Sequence, residues 1–140
     1  MMNQGGGNPL VSMIIRPPRN TYPDDTGTTL TQEVGGVTCQ IHNIAVRNSK
    51  NEQIKCTFIS PVPIQQPEGQ PPAQRPCVVY CHGNAGNKIE GLLGADTLIP
   101  AGLDLLSFDF SGCGNSDGKW VTLGWKETDD LRSVLQYLKD

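Results

Sequence analysis

The chain has 140 residues, 36% of them hydrophobic and 18% charged, which is about one domain in length and too apolar for a disordered chain. A net charge of -3, with eleven Lys and Arg residues scattered along the sequence, excludes the clustered basic footprint of a nucleic-acid binder, so no nucleic-acid partner is expected. No apolar run approaches the roughly 20 residues that cross a bilayer, and the N-terminus lacks the basic region and cleavage site of a signal peptide. The expectation is a protein without a transmembrane segment, located in the cytoplasm.

The predicted elements fall in a clear order. Residues 1–9 read as a flexible Gly- and Asn-rich tail, and VSMIIRPPRNTYPDDTGTT reads as a proline-bearing arm laid along a domain surface. GVTCQIHNIAVRN and QIKCTFISPV alternate and are rich in β-branched residues; the polar SKNE between them marks a hairpin. A proline-rich loop over 61–76 leads to CVVYC, a continuous apolar run of the kind found in strands covered on both faces. The glycine loop HGNAGN follows. Ile89, Leu92, Leu93, Asp96 and Ile99 then fall near helical spacing before Gly102, a plausible stop.

LDLLSFDF (103–110) is a second buried strand, so that strand, helix and strand form one right-handed crossover with parallel strands. In GWKETDDLRSVLQYLKD, Leu131, Val134, Leu135 and Leu138 stand at i, i+3, i+4, i+7, with Glu127, Asp129 and Asp130 near the positive end of the helix dipole. The fold class is α/β: an antiparallel hairpin followed by a parallel strand-helix-strand-helix unit.

Residues 114–118, GNSDG, fit G-x-S-x-G, the pattern around the nucleophilic serine of many hydrolases. That serine needs a sharp turn straight from strand into helix. Here Ser111, Gly112 and Cys113 separate the strand from the motif, and the helical pattern resumes only near Trp125. Both histidines, His42 and His82, precede Ser116, whereas the hydrolase order places the histidine last. Ser116 therefore reads as a polar residue in a tight glycine turn.

Gly112, Gly114 and Gly118 miss the dinucleotide spacing by one residue, and a phosphate loop ending at Gly118-Lys119 would need a hydroxyl where Trp120 stands. No cofactor is implied. Cys77 and Cys81 lie four apart in one strand, about 13 Å, too far to bridge or to converge with His82 on a metal. The five cysteines read as reduced, buried packing residues, and no metal site is expected.

Three motifs in order, CVVYC–HGNAGN, LDLLSFDF–SGCGNSDG and LGWKETDDL, resemble the first half of an α/β-hydrolase protein, over about residues 10–140. Within that superfamily the chain is most similar to serine aminopeptidase-like and Bem46-like domains. The resemblance implies that the loop after CVVYC supplies one oxyanion-hole donor, the backbone N–H of Asn84, supported by His82 as a loop brace and by Gly83. A plain strand-to-helix turn without chemistry is the other reading of HGNAGN. The resemblance places nucleophile, acid and histidine beyond Asp140, so no catalytic residue is assigned in this chain, and it puts Ser111 where an arginine is usual.

It also makes CVVYC the outermost strand next to LDLLSFDF, from which self-association through an exposed edge is expected. Two functions follow. One is the N-terminal part of a serine hydrolase acting on a small-molecule acyl or peptide substrate (ester, thioester or amide), the 140-residue chain itself being inactive. The other is a non-catalytic, hydrolase-like interaction protein or decayed duplicate.

Overall fold

The computed structural model describes residues 8–63, 69–70 and 73–140. Most of the predicted tail and part of the proline-rich loop lie outside the described residues. Within the described residues Asn8 and Pro9 open a helix, α1 (Pro9–Ile15). Asn8 Oδ1 accepts the Leu10 N–H at 2.9 Å, and proline at the first helical position has no N–H to satisfy. None of the α1 residues is buried.

The arm from Arg16 to Thr28 runs without regular structure into β1 (Thr29–Val34). Its polar TLTQEV carries little apolar alternation and was not foreseen as a strand. Gly35 and Gly36, both at positive φ, turn the chain into β2 (Val37–Arg47), and Asn51 at φ 64 lies in the turn to β3 (Gln53–Pro61). These strands form the predicted hairpin, extended by β1.

β4 (Cys77–Cys81) and β5 (Asp104–Phe108) pair in parallel, as the crossover rule requires. The sheet order is β1-β2-β3-β5-β4, so β5 is inserted antiparallel against β3 and β4 is outermost. Most of the five-stranded sheet is thus antiparallel.

Position in the sheet explains burial. Leu105, Leu106, Ser107 and Phe108 on central β5 are fully buried. In β4 the residues Cys77–Tyr80 are half-buried and Cys81 is exposed; Val78 and Tyr80 pack on one core and Cys77 and Val79 on the other, so the expected cover on both faces is present but partial on this outer strand. The cysteine expectation is corrected for the same reason. Cys39, Cys56 and Cys113 are buried, but Cys77 and Cys81 sit on the outer strand.

The two faces of β5 feed two cores. Leu105 packs with Val34, Cys39, Ile59, Ala95 and Ile99, while Leu106 and Phe108 pack with Val46, Ile54, Cys56 and Val134. Each Val, Leu, Ile or Phe side chain among them contributes about 1.5–3 kcal/mol when buried.

The single helix expected after HGNAGN is two short ones, α2 (Ile89–Leu92) and α3 (Ala95–Leu98), meeting at Gly94. A Cβ at Gly91 would stand 2.5 Å from Ser107 Oγ and 2.6 Å from the Tyr80 ring, so this segment lies directly on the sheet. Such contact leaves Leu93 outward and 83% exposed, off any buried stripe. Gly102 ends the unit at φ 92 as predicted.

The last helix, α4 (Glu127–Tyr137), covers the other face with Val134 fully buried. Its three acids do more than meet the dipole. Asp130 is fully buried and accepts from the Asn48 side chain and the Ser111 N–H, both at 2.8 Å. Asp129 accepts from the Ser49 N–H and hydroxyl, tying the helix to the β2–β3 turn.

Candidate functional site

At the carboxyl ends of the parallel strands β4 and β5, where ligands bind in open α/β sheets, two loops face each other. His82 joins them. Its Nε2 accepts the Phe110 N–H at 3.0 Å and its Nδ1 lies 2.7 Å from the Gly83 carbonyl oxygen. An amide N–H requires a lone pair, so the ring proton is on Nδ1, donating to Gly83 O. The ring also meets Phe110 edge-on at 5.1 Å. Both nitrogens are thus taken by main chain, which makes His82 a brace in this structure rather than a free base.

Gly83 O accepts a second donor, the Gly86 N–H at 3.0 Å, closing the turn. The left-handed residue of this turn is Ala85 at φ 63. Gly83 itself is not at positive φ, and a Cβ added there meets nothing within 4 Å. A side chain at Gly83 would thus find open space, and the turn does not need glycine there. The Asn84 side chain accepts from the Ala85 N–H at 3.2 Å, while the Asn84 main-chain N–H has no acceptor among the described residues.

The second loop is organised by Asp109, a fully buried carboxylate. Oδ1 accepts the Lys88 N–H at 2.6 Å at the start of the α2 segment; Oδ2 accepts the Asn115 N–H at 2.9 Å and the Tyr22 hydroxyl at 2.5 Å. Gly114 lies at φ 48, and a Cβ there would stand 2.3 Å from Asp109 Cγ, so only glycine fits. Burial first, then the bond to Asp109, raises the pKa of the Tyr22 hydroxyl and keeps it a donor.

Ser116 is buried in this loop at 2% exposure, donating to Asp109 O at 2.7 Å and accepting the Lys55 N–H at 2.8 Å. It bonds main chain and neither histidine. His42 is elsewhere, its Nδ1 3.1 Å from Thr29 Oγ1 on the β1–β2 pair. Ser111, at the position where the resemblance expects arginine, has its N–H held by Asp130, and its buried hydroxyl has no partner among the described residues.

Between the loops lies a cleft of about 260 Å³ lined by His82, Asn84, Phe110, Cys113, Val121 and Leu123. Burial pushes the Cys113 thiol up to about 11, which keeps it protonated at neutral pH and a poor nucleophile. Glu127 stands at the rim. Burial acts to raise its pKa, but bonds from the Thr122 hydroxyl and from the Thr122 and Gly124 N–H groups outweigh it and hold the carboxyl below its ordinary value. Its oxygens are occupied by this turn.

The structure thus brings His82, Gly83 and Asn84 together on one cleft and leaves Ser116 and His42 out. Asp109, Tyr22 and Asn20, which bonds Ala85 O and the Asn87 side chain, were missed as organisers of the loops. An acid at the end of the apolar run LDLLSF was a signal for Asp109; nothing local marked the other two. Among the described residues no group of three or more His, Cys, Asp or Glu is arranged to hold a metal ion, and no helix is long and apolar enough to cross a membrane.

No family model matches the chain, and no curated protein does. Among solved structures it is similar to the Pyrococcus furiosus esterase Pf2001 in three crystal forms. In the P212121 form the identity is 23% and the TM-score 0.60, over 91% of this chain and 41% of that one. In the P21 form the values are 22% and 0.58, over 89% and 43%; in the C2221 form they are 18% and 0.54, over 87% and 43%. At such identities the likeness shows the fold, an α/β-hydrolase-like part-sheet, and the chain spans about two fifths of the esterase's length.

Proposed function

We propose that this chain forms the oxyanion side of a serine hydrolase site, in the manner of serine aminopeptidase-like and Bem46-like domains. Such a site acts on acyl esters, thioesters or amides. The single observation that carries the reading is the Asn84 N–H, without an acceptor among the described residues, on a cleft with apolar lining, in a turn held by His82. An N–H of this kind stabilises the charge that develops on a carbonyl oxygen, and one donor contributes about 3 kcal/mol to lowering the barrier.

Nucleophile, general base and acid are proposed to come from sequence following Asp140. No serine of this chain is assigned the role. Reading the transcript through the codon for Asp140, then labelling the encoded product with a fluorophosphonate, tests the proposal. The expected result is an in-frame strand followed by G-x-S-x-G, with the label on that serine. A stop after Asp140, or label on a serine within residues 1–140, overturns it.

A further inference from the structure

The arm from Arg16 to Thr28 touches both loops of the site. Asn20 Nδ2 donates to the Ala85 carbonyl at 2.9 Å, and the Asn20 carbonyl accepts from Asn87 Nδ2 at 2.7 Å, so one arm residue grips both sides of the left-handed turn next to Asn84. Two residues on, Tyr22 donates to Asp109, and its carbonyl accepts from Asn115 Nδ2 at 2.8 Å.

Arg19 donates to the carbonyls of Ser116 and Gly118. Asp25 pairs at 3.0 Å with the ammonium of Lys88, a residue only 1% exposed, whose charge also lies 4.9 Å from the Tyr22 ring centre. The β4–α2 turn and the β5–α4 loop thus share one clamp made of distant sequence.

Resting on the function proposed above, we infer that this arm is a strap that fixes the Asn84 N–H in its aim, with Asn20 and Tyr22 as positioning residues for the site. The turn Gly83–Asn87 has one internal main-chain bond, Gly86 N–H to Gly83 O, and its left-handed residue is alanine, which strains that conformation. Outside bonds must hold it: His82 holds its first residue at Gly83 O, Asn20 holds Ala85 and Asn87, and Asp109 fixes Lys88, the residue that follows. An Asn84 donor that swings loses its catalytic use, because stabilisation depends on preorganised direction.

Residue-resolved amide exchange on the full chain tests this without requiring turnover. Asn20→Asp keeps size and backbone but turns the donor facing Ala85 O into an acceptor; Asn20 is exposed, so folding is retained. Exchange at Gly86 should rise about five- to tenfold and the Asn84 amide resonance should shift, with the β2–β3 ladder amides unchanged.

Tyr22→Phe should do the same at Lys88 and Asn115. Unchanged exchange at all three amides, or a uniform rise that includes β2–β3, overturns the strap while leaving the hydrolase reading standing. A stop codon after Asp140 would remove the hydrolase reading and leave the exchange pattern as found.

Discussion

The Tyr22 hydroxyl donates to the Asp109 carboxylate at 2.5 Å, joining positions 87 residues apart in the chain. The pair puts the N-terminal arm, the turn after β4 and the loop after β5 on one buried carboxylate. A charge with three donors tolerates burial; each donor removed leaves part of that charge unpaired.

Tyr22→Phe should therefore cost about 1.5–3 kcal/mol in urea unfolding, the range for a bond to a charged group. The pH dependence has a definite sign. Because the folded hydroxyl holds its proton more tightly than the unfolded one, its contribution is full below the ordinary tyrosine value of about 10 and is lost as pH rises above it. The gap between the two proteins should be flat from about pH 7 to 9 and narrow beyond 10. A gap that widens with alkali would contradict the donor role of Tyr22.

Two glycines should behave oppositely. Gly114→Ala places a methyl 2.3 Å from Asp109 Cγ at positive φ and should destabilise by about 3 kcal/mol or more. Gly83→Ala meets nothing within 4 Å and should change stability by less than about 1 kcal/mol. Thermal melts of the two variants decide this, and equal losses would show that the two loops are built differently.

Ser116→Ala should lower stability by about 1–3 kcal/mol, because the buried Lys55 N–H loses its acceptor. No fluorophosphonate label is expected at Ser116, whose hydroxyl bonds only main chain and has no base to activate it. Label that disappears in the alanine variant would make Ser116 a nucleophile after all.

The open side of β4 should make the 140-residue chain associate. Val78, Val79 and Tyr80 are half-buried on an outermost strand that carries neither charge nor proline, the usual devices against edge pairing. Sedimentation should show mass increasing with concentration in the micromolar range. A monomer that unfolds cooperatively across that range would show that the edge is protected.

Local pattern was enough for the elements whose burial repeats with their own period. The β2–β3 hairpin, the apolar runs of β4 and β5, the stop at Gly102 and three members of the α4 stripe, Leu131, Val134 and Leu138, were legible, because side chains two or three to four apart report the face they bury; the fourth, Leu135, is 42% exposed. The order of motifs also pointed to an α/β-hydrolase-like fold. Sequence did not reveal β1, which pairs through its backbone with β2 and carries polar residues, or α1, whose apolar residues face outward. Nor did it reveal that the helix after HGNAGN would be interrupted at Leu93–Gly94. The cleft was beyond it too. Its turn rests on His82 with Phe110, Asn20 with Ala85 and Tyr22 with Asp109, pairs 28, 65 and 87 residues apart. Directional bonds over such separations leave no periodic trace in the chain; they exist only once the sheet has brought the ends of β4 and β5 side by side and the arm has crossed them.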